Sequence, residues 1–388
     1  MTETPSWIGE PLRPKQMFAL MFCGVTGLMI PGVQPLLLSG LADAGRVAPS
    51  ALGGIATAEM LVMGLTAGVA GTALKAHRLR TWAIVALTAL TLLDILTPFM
   101  RGNAIMLVRG LAGLPSGILV WLVIAMIART PTPERWAGAY VTAQTAAQFV
   151  LATIVTRFVH PGWGGDAGFL GLALVCLANA LFIAWLPSTL AALPDEAIAG
   201  LPSLRGGWAL VVNVLSLGAT GAAWVFVGQL SSQAHHSPEI AGDAVSLSLA
   251  FQIVGGLVAT ALAGRLHWFW ALLACFAADI AIFATIASLP SAPVFLAISA
   301  VFGFTWLFGI PFLVPLTIEA DPTRRAALLI GGAQLIGGSL APAVASLLVT
   351  DTDARGALLF STVSLMLGSA IVVALHLTRV VPSAEAAN

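Results

Sequence analysis

Twelve long apolar runs, separated by short polar breaks, account for nearly the whole chain. In the first half they fall at about Gln16–Leu41, Pro49–Leu74, Trp82–Phe99, Ala104–Ile127, Trp136–Val159 and Phe169–Leu186. In the second half they fall at about Gly207–Gln229, Val245–Ala263, Trp268–Leu289, Val294–Ile318, Ala326–Leu348 and Ala357–Leu377. Each is close to the ~20 residues that a helix needs to cross the hydrocarbon core of a bilayer. The first run is longer than the ~7–15-residue apolar region of a signal peptide, so it is expected to stay as a membrane helix. The pattern predicts an all-α polytopic membrane protein, with twelve transmembrane helices in two six-helix bundles. The longest break, residues 187–206, carries Pro187, Pro194, Asp195, Glu196, Pro202 and Arg205. It divides the chain into an N-terminal bundle (1–190), a linker (191–205) and a C-terminal bundle (206–388).

The two halves echo each other. Arg135 is followed nine residues later by Gln144, and Arg325 nine residues later by Gln334. Both pairs share one offset of 190 residues. Glu59 precedes Gly71 by the same twelve residues that separate Gln252 from Gly264, and Asp94-Ile95 has a looser partner in Asp279-Ile280. A repeat of this length predicts pseudo-symmetric bundles with a pathway at their interface.

Composition agrees with the membrane reading. The chain is 59% hydrophobic and 9% charged, with a mean hydropathy of +0.97. A soluble domain carries about 25% charged residues, so most of this surface must face lipid. Zero net charge and the absence of a long basic run exclude nucleic acid as a partner. Cys23, Cys176 and Cys275 lie inside apolar runs, where they read as packing residues. With both termini on one side, twelve of the 17 Lys and Arg fall on that side. They include Arg13, Lys15, Lys75, Arg78, Arg80, Arg324 and Arg379. Arg46, Arg101, Arg109, Arg157 and Arg355 fall on the other side. Positive charge marks the cytoplasmic face, so both termini are expected in the cytoplasm and the protein in the plasma (inner) membrane.

Twelve spans, a short central linker and cytoplasmic termini resemble the major facilitator superfamily of secondary transporters over nearly the whole chain. Arg109-Gly-Leu-Ala-Gly113-Leu-Pro-Ser-Gly117 looks like the family's Arg-x-x-x-Gly motif near the start of span 4. The resemblance implies a coupling or binding role for Arg109. The loop after span 2 reads Gly71-Thr-Ala-Leu-Lys75-Ala-His-Arg78-Leu-Arg80. It keeps the glycine and basic character of the family's loop, with Lys75 where the family has Asp. The glycine-rich span 5 motif of many drug/proton antiporters is missing, since span 5 reads Ala143-Gln-Thr-Ala-Ala-Gln148. The resemblance is to the superfamily and not to a subfamily.

Ionisable residues inside the spans carry the candidate chemistry. Each costs roughly 2.5–3.5 kcal/mol at a helix centre, so each needs a partner or a wet cavity. Glu59, near the middle of the second run, is expected as the principal proton carrier, with a structural hydrogen bond as the plainer alternative. Asp94 and Arg109 lie at similar depth in sequential spans and are expected to pair, either structurally or as part of coupling. Glu59, Asp94 and Arg109 are therefore the candidate proton-coupling set, and Asp279 is expected to be a packing residue. Gln34, Gln144, Gln148, Gln252 and Gln334 offer donors and acceptors without fixed charge. Trp121, Trp224 and Trp306 lie away from the span ends, where Trp usually anchors to headgroups. With Arg109 these residues form the candidate solute site, suited to an anionic or amphipathic organic molecule. Hydrogen bonds between helices and packed Trp rings are the alternatives.

No metal spacing, no cofactor motif and no nucleophile with its base appears, so an enzyme is not expected. His235-His236 with Glu239 is the nearest approach to a metal site. No phosphate-binding glycine loop points to ATP. The expected protein is a monomeric, proton-coupled secondary transporter of a small organic solute, working by alternating access. The missing antiporter motif favours symport. A drug or metabolite–proton antiporter and a non-transporting receptor or scaffold stand as alternatives.

Overall fold

A computed structural model describes residues 7–74, 76–191, 201–262, 265–323 and 325–378. Lys75, Arg324, Arg379, the pair 263–264 and the linker residues 192–200, with Pro194, Asp195 and Glu196, lie outside that set. The described chain is nearly all helix; its one strand-like pairing is an isolated bridge between His77 and Thr189.

The N-terminal helices are α1 (Pro14–Gly27), α2 (Met29–Asp43), α3 (Leu52–Ala73), α4 (Leu79–Leu96), α5 (Asn103–Ile127), α6 (Pro133–Ile154), the one-turn α7 (His160–Trp163) and α8 (Gly168–Asn179). The C-terminal helices are α9 (Leu204–Val225), α10 (Val227–Gln233), α11 (Pro238–Leu262), α12 (Trp268–Ala287), α13 (Ala292–Gly309), α14 (Leu313–Ala320), α15 (Arg325–Leu328), α16 (Ile330–Ser346) and α17 (Arg355–Leu377). Ten helical stretches among the described residues are long and apolar enough to cross a membrane.

Two expected spans are shorter than the apolar pattern suggests. The sixth run forms only the 12-residue α8. It ends at Asn179, whose side-chain amide donates to Thr26 Oγ1 at 2.6 Å and to the Val175 carbonyl. Beyond it the chain turns into a short 3-10 segment, Ile183–Trp185. There Phe18, Phe22, Phe182 and Trp185 form a knot, with Phe182 edge-on to Phe18 at 5.1 Å. The eleventh run breaks at Leu329, leaving a 17-residue α16. Gly331, Gly332, Gly337, Gly338 and Pro342 lower its intrinsic helix propensity.

Packing is tightest between α3 and α5 and between α11 and α13. Gly113 of α5 lies against the backbone of α3, where a Cβ would come within 2.5 Å of the Glu59 carbonyl. Gly303 of α13 plays the same part against Ser248 of α11. This repeat of close contacts is the structural counterpart of the echo in the sequence.

The first crossing is broken at Leu28 by its prolines. Pro31 sits in the first turn of α2, where its missing N–H costs little. Pro35 lies inside the helix and has no N–H for the Pro31 carbonyl. That carbonyl instead accepts from the indole Nε1 of Trp224, on α9, at 2.7 Å. A net hydrogen bond is worth about 0.5–1.5 kcal/mol, so Trp224→Phe is expected to speed thiol labelling of a Ser39→Cys probe several-fold. Pro35→Ala restores an intrahelical donor to the Pro31 carbonyl. In that background the Trp224→Phe effect should shrink, and additive effects would show that the two groups do not share this acceptor.

The N- and C-terminal helices meet through α3 with α16, α6 with α11, and α2 with α9, α10 and α11. Their polar links gather toward the end opposite the start of α1 and the finish of α17. Ser50 Oγ donates to Asp351 at 2.6 Å, Arg157 pairs with Asp243 at 2.6 Å, and the Ala343 N–H donates to Thr57 Oγ1 at 3.0 Å. A Cβ on Gly53 would collide with the Pro342 carbonyl. Toward the other end, Leu65 and Val69 of α3 and Ile336 of α16 are exposed.

Candidate functional site

Three ionisable side chains meet inside the N-terminal helices. Glu59 is the eighth residue of the 22-residue α3, one turn from the middle of the helix on the side remote from the termini. Asp94 lies in the last turn of α4 and Arg109 in the second turn of α5. The connection between α4 and α5 is short, and the contact at Gly113 draws α3 onto α5, so all three reach one level. Each is about 1% exposed.

Arg109 is the hub. Its Nε donates to Glu59 Oε2 at 3.0 Å, and its Nη2 donates to Glu59 Oε1. Its Nη1 donates to Asp94 Oδ1 at 2.7 Å and reaches Thr97 Oγ1 at 3.3 Å. The guanidinium carbon lies 4.9 Å from the centre of the Phe169 ring, a cation–π distance. The second oxygen of Asp94 has a different neighbour: the Cys176 thiol of α8 donates to Oδ2 at 4.0 Å. Beside it is a cavity with room for about one water. Thr26, Met29, Ile30, Ser116 and Leu172 complete its wall with the charged groups.

Formal charge sets what this cluster can do. One guanidinium faces two carboxylates, so the ionised set carries one uncompensated negative charge in a dry interior. Burying such a charge is costly. A single proton removes it, and the arrangement can therefore take up and release one proton.

The other sequence candidates are not gathered here. Gln148 is buried and its Nε2 donates to the Leu28 carbonyl at 2.6 Å, at the break between α1 and α2. Gln34 is buried nearby in α2, and its Nε2 is without a hydrogen-bond partner. Trp224 stands edge-on to Trp306 at 5.6 Å, with Phe302 beside both. Trp121 is packed in the apolar core of the N-terminal helices. Gln252 is buried in α11. The repeat-related pair divides: Gln334 Nε2 donates to Asn213 Oδ1 at 3.1 Å, whereas Gln144 is half-buried in α6. Arg109 is occupied by its carboxylates inside the N-terminal helices, away from the Trp224–Trp306 pair. Asp279 accepts from Thr305 Oγ1 at 2.5 Å between α12 and α13.

Sequence reasoning paired Arg109 with Asp94 and kept Glu59 apart. The structure gives Glu59 the larger share of the guanidinium. It also adds Thr97, Phe169 and Cys176, which nothing in the apolar pattern distinguishes from packing residues. The usable signal was charge: three ions buried within a few turns of one another must be answered by each other.

The fold is one that solved membrane transporters share. No family model and no curated protein matches the sequence; solved structures do match the fold. A bacterial homologue of the human lysosomal transporter Spinster, inward-facing and unoccupied, aligns with a TM-score of 0.65 at 12% identity, over 96% of this chain and 100% of that one. A mutant of the nucleoside transporter NupG aligns with a TM-score of 0.71 at 13% identity, over 93% of this chain and 99% of that one. The occupied, inward-facing form of the Spinster homologue gives 0.64 at 13% identity, over 97% and 100%.

Proposed function

We propose that this chain is a proton-coupled secondary transporter of a small organic solute, working by alternating access. The observation that carries the reading is the buried cluster of Glu59, Asp94 and Arg109, which balances its charge only by holding one proton. Its twelve crossings, α8 and α16 included, form two six-helix bundles, residues 1–190 and 206–388. The excess of Lys and Arg on the terminal side puts both termini in the cytoplasm of a cell bounded by this inner membrane. In that orientation the linked end faces outward, so the conformation is inward-facing.

The solute site is distinct from the proton site. Trp224 and Trp306 of the C-terminal helices, with Gln34 and Gln148 of the N-terminal helices, would give it an aromatic and amide lining suited to an amphipathic or anionic organic molecule. The span 5 sequence, which departs from the antiporter pattern, favours symport over the alternative of antiport. The protein acts as a monomer.

The test starts with a panel of small organic solutes, screened for those that raise the unfolding temperature of the purified protein, because a bound molecule stabilises by mass action. A stabilising solute is then added outside liposomes holding the protein and a pH-sensitive dye. Acidification of the lumen, in step with solute uptake, is the expected result. Alkalinisation would make it an antiporter, and uptake with no pH change would sink proton coupling.

A further inference from the structure

We infer that the transported proton rides on Asp94, at the Oδ2 facing Cys176, while Glu59 stays ionised as the fixed counter-ion of Arg109. This rests on the reading of the cluster as the proton site, and it reverses the expected roles of its two acids.

The hydrogen bonds decide between them. Both oxygens of Glu59 are taken by the guanidinium, one from Nε and one from Nη2. A proton on either oxygen lands on an atom that already accepts from Arg109, and it weakens that charge-assisted bond. Asp94 gives Arg109 only Oδ1. Its Oδ2 meets a thiol at 4.0 Å, a weak and replaceable donor, and Asp94, like Glu59, lines the water-sized cavity. A hydronium ion reaching that cavity breaks one of its O–H bonds, stays behind as water, and forms one O–H bond at Oδ2, with every guanidinium bond left in place. The groups facing Asp94 are few: Glu59 from α3, Arg109 from α5, Cys176 from α8 and, on its own chain segment, the hydroxyls of Thr91 and Thr97. With the proton aboard, the cluster is one cation and one anion. Without it, a second anion stands against the first.

The cavity also touches the part of the fold that joins the two sets of helices. Met29 and Ile30 line it, and the next residue, Pro31, accepts the Trp224 indole from α9. A change in the state of Asp94 therefore presses on the break between α1 and α2, which is linked to the C-terminal helices. Glu59 lines the same cavity, but both its oxygens are engaged by the guanidinium.

Infrared spectroscopy of the full-length protein in lipid, titrated with pH, reads the protonated carboxyl directly through its C=O stretch. The Asp279→Asn background removes the other intramembrane carboxylate. Asp94→Glu should move the frequency of the titrating band, Glu59→Asp, which keeps the second anion, should leave it unmoved, and Cys176→Ala should shift its frequency without removing it. All three arms keep every charge in the cluster and so do not depend on charge variants folding. A frequency that moves in Glu59→Asp and not in Asp94→Glu would overturn the assignment and leave the cluster as the proton site. A titrating band whose frequency neither change moves would remove the proton from the cluster altogether. An unshifted band in Cys176→Ala would also defeat the placement on Oδ2.

Discussion

Arg109→Met is expected to leave little folded protein in detergent, while Glu59→Gln/Asp94→Asn/Arg109→Gln is recovered in near-normal yield. The single change strands two carboxylates, each about 1% exposed, around a vacated cation site. Breaking a buried ion pair by removing one partner costs about 3–5 kcal/mol, and replacing the whole set can be close to neutral. Glu59→Gln should be the more damaging of the two acid changes, because it removes the partner that takes both Nε and Nη2. Asp94→Asn leaves a balanced pair and should lower the unfolding temperature least. Equal losses from Arg109→Met and the triple variant would mean that size and shape, not charge, hold this site together.

Gly53→Trp is expected to abolish transport and leave the protein folded. Gly53 sits where α3 and α16 meet so closely that even a methyl group strikes the Pro342 carbonyl. An indole there holds the two helices apart at the linked end and separates Thr57 from the Ala343 N–H. The Ser39→Cys probe, buried at the same interface in the parent protein, should then label at least ten-fold faster. Full transport activity in Gly53→Trp would show that this contact does not have to form during the cycle.

The apolar runs made the helical order legible, because a span must satisfy its own backbone in lipid and so leaves a long signature. The ends were not legible. Nothing in the run from Phe169 to Leu186 announces that Asn179 is turned aside by Thr26, a residue on α1. The pairing of Asp94 with Arg109 could be anticipated because a short turn makes α4 and α5 neighbours. Glu59 with Arg109 could not, since their meeting depends on which faces of α3 and α5 touch at Gly113. The echo of Gln144 and Gln334 illustrates the same limit. Equal sequence positions acquired unequal surroundings, because Asn213 has come to lie beside one of them. Pro31 and Pro35 were visible from the start, but an acceptor freed by a missing N–H has no trace until its donor is in place.

The shortness of α8 has a consequence for the surrounding lipid. Twelve residues of helix rise about 18 Å, against a hydrocarbon core of about 30 Å. Its counterpart at the end of the chain, α17, runs 23 residues and spans that depth unaided. The knot of Phe18, Phe22, Phe182 and Trp185 fills part of the deficit, with Trp185 the side chain that favours the headgroup boundary. What mismatch is left on this flank is met by thinning of the bilayer or tilt of the protein, at a cost of fractions of a kcal/mol for each ångström. Acyl-chain length thus acts on the two flanks unequally, and the flank it strains is the one where α8 packs against α4 and holds Cys176 beside Asp94.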